Sequence, residues 1–476
     1  MGDPIPIDFG LQSDPGRYGA DTGPRHINAY AEQVIQGQPS LPIYAAAGLD
    51  LFSTVPGGGS CRGMIVLDEV IIAVTGTQLV KIDASGTATV LGGIPGTSKV
   101  VMARNEKANT PQVAIVVDGL AFILENNILT QINDPDLPPP SSVTYLDQRF
   151  IFGIPDGRFF YSEIDDGGNI GALNFEAAEG APDGLVRVFT HLLDLWLFGE
   201  NTTEMWRSTT DPNNPFQRAG GGFFNRGCSA PHSVDHIGNY VFWVGDDNVV
   251  YGTSQYVPIP ISHAKISRDL KAITDRESII GFTYVDGGAS FYCLTSPLWT
   301  WTYNLTTSLA TQGPIWFERQ SYNLPNWRCQ FAVNFSGSTV VGGNTGGLFY
   351  TLNQNTFTEN GDYHVWTLRT SPVHAYPNRI AVDRLHLDLI PGAGINSTNP
   401  HSQNPQVGLR WSDDGGKSFS RQLTRQMGAQ GHNMTRMVFN GLGTTGREGR
   451  IWEIQVSAPV ARGLRQCSIE GDEIGT

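Results

Sequence analysis

The chain has 476 residues, which is too long for one small domain, so two or more domains are expected. Its 56 Gly and 29 Pro, with only 16% charged residues, predict many short β-strands joined by tight turns and exclude a helical bundle. The hydrophobic content of 40% excludes a disordered chain. The net charge of −14 argues against a protein that grips phosphate backbones, although a polyanion could slide past such a surface.

The cysteines and the first residues indicate the compartment. Five cysteines stand far apart without any Cys-x-x-Cys motif, so we expect buried free thiols in a reducing compartment. The first residues lack a basic start and an apolar run, so no secretory leader is expected. No apolar span of about 18 residues occurs, so we expect no membrane insertion by this chain.

Residues 1–60 are rich in Pro and Gly and only weakly periodic. The segment Arg25–Glu32 leads through Leu41–Tyr44 into a short apolar run, Ala47–Phe52. We therefore predict an extended N-terminal arm over residues 1–60 that ends in a first strand.

A rhythm of apolar runs extends over residues 61–364. The runs recur roughly every 40 to 50 residues, the period typical of propeller blades. They start near Val70, Val113, Phe150, Leu192, Tyr240, Phe291 and Val340. The pattern predicts an all-β fold whose main domain is β-propeller-like, with six to eight blades and seven favoured.

Each repeat reads as a β-hairpin. Asp118-Gly119 is a strong two-residue hairpin signal, because both residues tolerate the positive φ that such turns need. One hairpin cannot bury both of its faces, but a ring of hairpins can. One helix is also predicted, near Ile266–Asp275, with Ser267 or Ser262 as its cap.

The sequence texture changes near residue 365, where strands become longer and Arg more frequent. Three segments alternate apolar and polar residues with period two, Arg379–Ile390, Val407–Trp411 and Arg450–Val456. This alternation predicts a separate C-terminal β-sandwich or jelly-roll domain over residues 365–476.

One motif in this domain fits an Asp box, with Ser412, Asp414, Gly416 and Phe419 at the defining positions. Asp414 can accept hydrogen bonds from the N–H groups of the turn, Gly416 permits positive φ, and Phe419 can anchor the hairpin. Asp boxes recur in sialidase propellers, but a single copy outside the predicted propeller favours a structural turn.

The acidic side chains are the candidates for catalytic residues. A glycosidase needs two carboxylates facing each other across a sugar, roughly 5 to 10 Å apart. The candidates by composition are Glu163, Asp165, Asp166, Glu200 and Glu204, with Arg207, Arg218 and Arg226 near them in sequence. Solvated turn carboxylates are the favoured interpretation, so we assign no catalytic residue and expect no enzyme.

Two histidines, two glycine runs and a basic cluster are the candidates for metal and anion sites. His232 and His236 stand four apart, but on a strand this spacing separates them by about 13 Å, too far for one metal. The runs Gly57–Gly63 and Gly220–Gly222 lack the phosphate-loop pattern and are interpreted as turns. A solvated face is favoured for the basic cluster Arg447, Arg450, Arg462 and Arg465. No metal or cofactor is expected.

Two stretches carry a family resemblance. Ala181–Ser267 combines Leu-Leu-Asp-Leu-Trp-Leu-Phe-Gly, Asn-Arg-Gly and Tyr-Val-Phe-Trp-Val-Gly-Asp-Asp-Asn. Near the C-terminus stand Arg-Trp-Ser-Asp-Asp-Gly-Gly and Glu-Ile-Gln-Val-Ser-Ala-Pro-Val. Together they resemble the packaged-DNA stabilisation protein of short-tailed bacteriophages, also called the tail accessory or hub factor.

The resemblance implies a structural virion protein of the phage tail. Such a protein forms a ring, favoured as a homohexamer, below the head-to-tail adaptor, where it closes the portal channel and retains packaged DNA. Its implied partners are the adaptor and other tail proteins such as a fibre, spike or needle. DNA would pass the lumen without sequence-specific binding. The implied location is the virion, after assembly in the host bacterial cytoplasm, and no cofactor is implied.

Two alternatives remain open from the sequence. One is a sialidase-like propeller glycosidase, which a deep pocket lined by facing carboxylates would favour. The other is a carbohydrate-binding tail module, because the chain carries 10 Trp and 15 Tyr. Exposed aromatic platforms on a loop would favour that module.

Overall fold

The computed structural model describes residues 4–18, 22–32, 42–178, 180–209, 211 and 214–475. Parts of the predicted arm, residues 1–3, 19–21 and 33–41, therefore lie outside the described residues. Strand accounts for 52% of the structure and helix for 6%, which confirms the all-β class. In these ranges, each helix is too short or too polar to cross a bilayer.

Five strands form in the N-terminal segment; β3 pairs with β4, and the other partners of these strands lie far along the chain. They are β1 (Ile5–Pro6), β2 (Arg25–Ile27), β3 (Ala29–Ala31), β4 (Ile43–Ala45) and β5 (Gly48–Thr54).

Five antiparallel four-stranded sheets follow in chain order, each with its strands paired in sequence order. Blade 1 has β6 (Cys61–Leu67), β7 (Val70–Thr75), β8 (Gln78–Ile82) and β9 (Ala88–Gly93). Blade 2 has β10 (Val101–Arg104), β11 (Gln112–Val117), β12 (Leu120–Glu125) and β13 (Ile128–Gln131). Blade 3 has β14 (Ser142–Leu146), β15 (Arg149–Gly153), β16 (Arg158–Glu163) and β17 (Asp166–Ala177).

Blade 4 has β18 (Leu185–His191), β19 (Asp194–Gly199), β20 (Thr203–Ser208) and β21 (Phe216–Phe224). A 3-10 turn, Pro231–Ser233, precedes blade 5, which has β22 (Asp235–Ile237), β23 (Tyr240–Val244), β24 (Val250–Thr253) and β25 (Ile259–Pro260). Helix α1 (Ala264–Ala272) and a second 3-10 turn, Arg276–Ser278, then lead to blade 6.

Blades 6 and 7 are parts of larger sheets. Blade 6 has β26 (Ile280–Asp286), β27 (Ala289–Thr295), β28 (Thr300–Asn304) and β29 (Trp316–Glu318), with α2 (Leu305–Thr311) between the last two. Blade 7 has β30 (Cys329–Phe335), β31 (Ser338–Gly343) and β32 (Leu348–Asn353), and its fourth strand is β5. Two short strands follow, β33 (Thr358–Glu359) and β34 (Asp362–Tyr363).

The seven blades close into a ring, because an apolar cluster fills each interface between neighbouring blades. Blades 1 and 2 share one cluster, blades 2 and 3 the next, and the series continues around the ring. The seventh cluster packs Val340 and Phe349 of blade 7 against Ile71 and Ala73 of blade 1. The propeller is confirmed, with seven blades in the described residues.

The predicted apolar runs correspond to the second strand of each blade, namely β7, β11, β15, β19, β23, β27 and β31. In β11, all six residues are buried, because neighbouring blades cover both faces of this strand. A strand covered on both faces needs a continuous apolar run and shows no alternation. This is why the second strands give the strongest signal in the sequence.

The predicted turn at Asp118-Gly119 has φ of 47° and 77°, the positive values that a type I′ hairpin requires. The helix prediction is partly wrong at its start. Helix α1 begins at Ala264 with His263 as N-cap, and no side chain caps it. Ser262 precedes the N-cap, and its hydroxyl accepts a hydrogen bond from the Val250 N–H at 2.9 Å instead, while Ser267 lies inside the helix.

The interpretation of Gly220–Gly222 as a turn is also wrong. These glycines lie within β21, and Gly221 has φ of 76°. The pairing of β20 with β21 shifts register between Glu204 and Trp206, as at a β-bulge. A bulge uses the positive φ of glycine without ending the strand.

The C-terminal strands form a β-sandwich, as predicted. Its elements are β35 (Trp366–Arg369), β36 (Arg379–Leu389), α3 (Pro400–Gln403), β37 (Gln406–Ser412), β38 (Leu423–Gln426), β39 (Met437–Thr444), β40 (Ile451–Val456) and β41 (Gly463–Ile474). One sheet has the order β3-β4-β41-β36-β39, with β1 also paired to β41, and the other contains β35-β40-β37-β38. Trp366 and Trp452 are fully buried between the two sheets.

The N-terminal strands thus belong to both domains. β5 completes blade 7 by antiparallel pairing with β32, while β1, β3 and β4 join the sandwich. The domain boundaries predicted at residues 60/61 and 364/365 stay predictions. Residues 48–54 nevertheless contribute their hydrogen bonds to the propeller sheet.

We expect Leu49→Ala to destabilise the protein strongly, since Leu49 is fully buried between blades 6 and 7. Truncation of a buried Leu costs about 2 to 5 kcal/mol. Leu51→Ala is the matched control, because Leu51 lies in the same strand and is 50% exposed. Chemical denaturation measures both variants, and equal losses of unfolding free energy would contradict closure by β5.

Candidate functional site

The junction between propeller and sandwich is built around strand β2. Ile27 pairs in parallel with Glu318 of β29, and Arg25 to Ile27 pair antiparallel with β35. One nine-stranded sheet therefore runs from blade 6 through β2 into the sandwich. Backbone hydrogen bonds join the domains, so the junction is stiffer than a flexible linker.

Asn28 directly follows β2 and fixes its end with side-chain hydrogen bonds. Its φ is 54°, a left-handed conformation that Asn tolerates better than most residues. Its side-chain amide donates to the carbonyls of Gln320 and Val365 at 2.8 and 2.9 Å. Its amide oxygen accepts from the Gln320 N–H at 3.0 Å. One buried side chain thus ties β2 to both domains.

His26 lies in the middle of β2 and is fully buried. Its Nε2 donates to the Phe9 carbonyl oxygen at 2.8 Å. Its backbone N–H donates to the Ser13 hydroxyl at 2.6 Å, and that hydroxyl donates back to the His26 carbonyl at 3.0 Å. Burial lowers the pKa of His26 to about 4, so the ring is neutral near pH 7.

A charged cleft of about 280 Å³ lies beside β2. Arg25 forms a two-pronged ion pair with Glu318, at 2.8 and 2.7 Å. Glu453 is buried between Arg369, at 2.5 Å, and Arg410. The cations of the cleft are thus paired with carboxylates, and the cluster acts as a structural joint.

The Asp-box residues form a closed turn beside this cluster. The Asp414 carboxylate accepts from the Ser412 hydroxyl at 2.7 Å and from the backbone N–H groups of Lys417 and Ser418 at 3.0 and 2.9 Å. Hydrogen bonds from Ser418, first of all, lower the pKa of Asp414. Gly416 has φ of 85°. These contacts support the prediction that the Asp box is a structural turn.

Phe419, the aromatic residue of the box, is half-buried. Its ring centroid lies 4.7 Å from the guanidinium group of Arg369 and 4.8 Å from that of Arg410. Cation–π contacts of this kind attract the ring to both guanidinium groups, which also pair with Glu453. The Asp-box loop is thereby tied to the junction.

The interpretation of the C-terminal arginines as one solvated face is wrong for two of them. Arg450 is 2% exposed, pairs with Asp413 at 2.8 Å and stacks on Trp411 and Trp452. Arg462 is also 2% exposed and donates to backbone carbonyls, among them that of His364. Both side chains found partners inside the fold, whereas Arg447 and Arg465 are exposed.

The structure does not bring the five candidate carboxylates together. Glu163, Asp165 and Asp166 lie at the β16–β17 turn of blade 3, and Glu200 follows β19 of blade 4. Turns between third and fourth strands and turns between second and third strands lie on opposite faces of a propeller. Glu204 is buried and accepts from the Gly180 N–H at 2.6 Å and from Trp206 Nε1 at 2.9 Å.

The arginines near these carboxylates in the sequence contact nearby aspartates or solvent. Arg207 pairs with Asp194 at 2.7 Å, and Arg226 lies 3.6 Å from Asp247. Arg218 is exposed on β21. These three arginines therefore do not converge on a shared carboxylate-binding pocket.

His232 and His236 occupy different elements, the 3-10 turn and β22. The His236 ring lies 5.0 Å from the His191 ring. Over the described ranges, no group of three or more His, Cys, Asp or Glu side chains is arranged to hold a metal ion. The five cysteines are free and buried, as predicted, and burial raises the pKa of Cys228 to about 11.

The junction between propeller and sandwich was not predicted from the sequence. Strand β2 has three residues, and its partners lie almost 300 and 350 positions away. Only Asn28 carries a local signal, and a single Asn in a Pro- and Gly-rich segment indicates little. No pattern in the sequence pairs Arg25 with Glu318.

Two family models match the chain. One is described as bacteriophage P22 Gp10, beta-propeller, and matches residues 4–357. The other is described as bacteriophage P22 Gp10, beta-sandwich, and matches residues 365–472. No curated protein matches the chain.

Solved structures with similar architecture include the computationally designed Ika8 protein, at 11% identity and a TM-score of 0.39, covering 72% of this chain and all of that one. The WD40 beta-propeller domain of Doa1 is 12% identical, with a TM-score of 0.41 and coverage of 64% and 97%. PorZ of Porphyromonas gingivalis is 12% identical, with a TM-score of 0.38 and coverage of 79% and 46%.

We expect the free energy of unfolding to fall as pH drops from about 6.5 to 4, partly because of His26. The unfolded state protonates this histidine near pH 6.5, but the folded state does so only near pH 4. The unfolded state therefore binds more protons in this window, and the folded state loses roughly 3 kcal/mol relative to it.

The His26→Gln variant should lose this part of the pH dependence while keeping a side-chain donor for Phe9. Denaturation between pH 4 and 7.5 measures the slope for each protein. His401→Gln is the control, because His401 is exposed. The interpretation fails if His26→Gln and the parent show the same slope.

Proposed function

Because this chain belongs to the bacteriophage P22 Gp10 family of phage stabilisation proteins, we propose that it works as a ring in the phage tail. The ring, favoured as a homohexamer, lies below the head-to-tail adaptor, closes the portal channel and retains packaged DNA. Its neighbours are the adaptor and other tail proteins such as a fibre, spike or needle. The protein is assembled in the host bacterial cytoplasm and resides in the virion tail.

The family match carries this proposal, because it includes both domains in order. The two models together cover residues 4–357 and 365–472. A propeller alone hosts many unrelated functions, so fold similarity alone would assign none. The combination of propeller and sandwich in one chain is the more specific feature.

The charge of the chain supports a role beside DNA without tight binding. The net charge is −14, so the average surface repels phosphate. A channel wall that repels phosphate lets DNA leave at infection, whereas a basic wall would hold it in a salt-dependent way. The packaged DNA is then retained because the ring closes the channel and not because the channel wall binds DNA.

The junction between propeller and sandwich supports a role in which the protein sets the relative positions of its neighbours in the tail. Strand β2 and Asn28 fix the sandwich on blade 6, so one module can contact ring neighbours while the other contacts proteins above or below. A heterologous contact repeated by rotation closes at a fixed copy number only if its angle is fixed. A stiff junction provides such an angle.

An exposed apolar hairpin tip supports contacts with other virion components. Leu192 and Leu193 connect β18 and β19 and are 69% and 78% exposed. Leu192 has φ of 56°, at a hairpin position that favours Gly. The strained backbone of Leu192 and the exposure of both leucines do not stabilise the isolated fold, so we infer that the pair contacts a partner.

The structural role needs no catalytic chemistry, and we propose none. Glu204 is engaged in structural hydrogen bonds, and Glu163, Asp165 and Asp166 share one turn on the face of the ring opposite to Glu200. This arrangement gives the glycosidase alternative no support.

A phage that lacks this protein tests the role. We expect such particles to fill their heads, then leak DNA and lack finished tails, because nothing closes the channel. Electron microscopy and nuclease-resistant DNA per particle measure both effects, and expression of the protein in the host should restore them. Particles that keep their DNA and carry complete tails would overturn the proposal.

The hairpin tip has its own test, the double variant Leu192→Gly, Leu193→Ser. Relief of the left-handed strain, about 1 to 2 kcal/mol, should keep the melting temperature of the isolated chain at or above that of the parent. Loss of two apolar contacts should lower incorporation into virions by about tenfold or more, measured by mass spectrometry of purified particles.

Asn239→Ser is the matched control, since Asn239 is exposed at the corresponding hairpin tip of blade 5. It should incorporate like the parent. Incorporation of the double variant at the parent level would show that the tip contacts no partner.

A further inference from the structure

A row of charged side chains crosses the junction between propeller and sandwich. The strand order β29-β2-β35-β40-β37 places, in this order across the sheet, Glu318, Arg25, Arg369, Glu453 and Arg410. Arg25 lies directly opposite Arg369, and Glu453 lies directly opposite both Arg369 and Arg410. Residues directly opposite each other project from the same face of a sheet, so these four side chains share one face. We call the five residues the charged row.

The charged row has one positive charge in excess, because it contains three guanidinium groups and two carboxylates. Arg25 pairs with Glu318, whereas Arg369 and Arg410 share Glu453. Arg25 and Arg369 stand on adjacent strands, so no acidic side chain of the row lies between them. Like charges directly opposite each other destabilise a sheet. One further negative charge beside these two arginines would balance the row.

The ion pairs of the row use only some of its hydrogen-bond donors. Arg25 donates to Glu318 through Nε and Nη2. Arg369 donates to Glu453 through the same two atoms, and Arg410 donates to Glu453 through Nε alone. Among the described residues, the Nη1 atoms of Arg25 and Arg369 and both Nη atoms of Arg410 have no partner.

These unused donors are open to solvent. The unpartnered nitrogens of the row are not buried, and the side chains of Arg25, Arg369 and Arg410 are 35%, 21% and 38% exposed. A ligand can therefore reach them without a rearrangement of the core.

The cleft of about 280 Å³ beside β2 lies over the charged row, since the three arginines and Glu453 line it. The loop between β29 and β30 supplies another part of its wall, where Tyr322 and Asn323 are exposed. A ligand in this cleft contacts all three guanidinium groups. The volume is at the small end for ligand sites, so the cleft suits one functional group on a short stem.

We propose that this cleft binds a carboxylate group through the unused donors of Arg25, Arg369 and Arg410. Guanidinium groups match a carboxylate through parallel N–H···O hydrogen bonds. A carboxylate also supplies the single negative charge that the row lacks. Its source is either a small free carboxylate or an acidic side chain of another polypeptide. The site goes beyond the role in the tail and does not depend on ring formation.

Two capped tripeptides test the site, Ac-Gly-Glu-Gly-NH2 and Ac-Gly-Gln-Gly-NH2, which have nearly the same shape and differ in charge. Ligand-observed NMR with the purified full chain measures both. We expect the Glu peptide to bind with a dissociation constant on the order of 1 mM in a low-salt buffer. The Gln peptide should bind about tenfold more weakly or worse, because it cannot form charge-assisted hydrogen bonds. Equal binding of the two peptides would overturn the proposal.

The variant Arg410→Gln tests the residues of the site. It removes two unused donors and the excess charge of the row, so binding of the Glu peptide should weaken by about tenfold or more. Arg421→Gln is the matched control, since Arg421 is exposed in the loop before β38 and does not line the cleft. It should bind like the parent. Unchanged binding by Arg410→Gln would contradict the site.

Acetate as a third probe distinguishes the two sources of the carboxylate. Tighter binding of the Glu peptide indicates a site for an acidic side chain of a polypeptide, and tighter binding of acetate indicates a site for a small free carboxylate. Either result supports the carboxylate site. Failure of both probes to bind the parent would refute it.

A last measurement needs no variant and stays valid if Arg410→Gln fails to fold. Phenylglyoxal modifies accessible guanidinium groups, and peptide mass spectrometry follows the rate at each arginine. The Glu peptide should slow modification of Arg410 several-fold, because the bound carboxylate covers its Nη atoms, while the Gln peptide should leave the rate unchanged. Arg421 is the internal control, with the same rate under both conditions. Equal rates at Arg410 with the two peptides would count against the proposal.

Discussion

The antiparallel pairing of β5 with β32 is the constraint on which the rest of the molecule depends. Residues 48–54 supply the fourth strand of the last blade, so the ring closes with hydrogen bonds between the two ends of the propeller sequence. Without it, blade 7 would present an open edge and the apolar contacts of Leu49 would be lost. The same short N-terminal segment then places β2 between blade 6 and the sandwich, so closure of the ring and attachment of the second domain share one stretch of chain.

The sequence predicted the parts of the fold that depend on local pattern. Second strands of blades are covered on both faces, so their apolar runs stand out and their spacing indicates a propeller. The Asp118-Gly119 turn was predictable because its backbone needs residues that tolerate positive φ. The roles of β2 and β5 were not predictable, because short strands gain their stability from partners hundreds of residues away and carry no period of their own. The helix cap was missed because the Ser262 hydroxyl is used by Val250 instead.

At the candidate site, the burial of charged side chains could not be predicted from the sequence. A cluster of arginines near the C-terminus was expected to be solvated, yet Arg450 stacks on two tryptophans and pairs with Asp413 inside the fold. A charged residue type does not show whether its side chain is buried. The aliphatic part of an arginine can pack on aromatic rings while its guanidinium group donates hydrogen bonds to carbonyls. The Asp-box motif was more informative, because Ser412, Asp414 and Gly416 make contacts within a few residues of each other. Phe419 required the fold, as its ring packs on arginines from two other strands.

The charge balance of the whole chain bears on how its buried arginines are satisfied. The chain has 45 acidic and 31 basic residues, so carboxylates are abundant. Arginines of the sandwich receive some of them: the buried Glu453 pairs with Arg369 and Arg410, and Asp413 pairs with the buried Arg450. Arg62 is satisfied in another way, because its guanidinium donates to four backbone carbonyls of the propeller at 2.5 to 3.1 Å. A buried guanidinium needs partners because its desolvation is costly, but carbonyls can serve as well as carboxylates. An excess of acidic residues therefore does not predict which arginines form ion pairs.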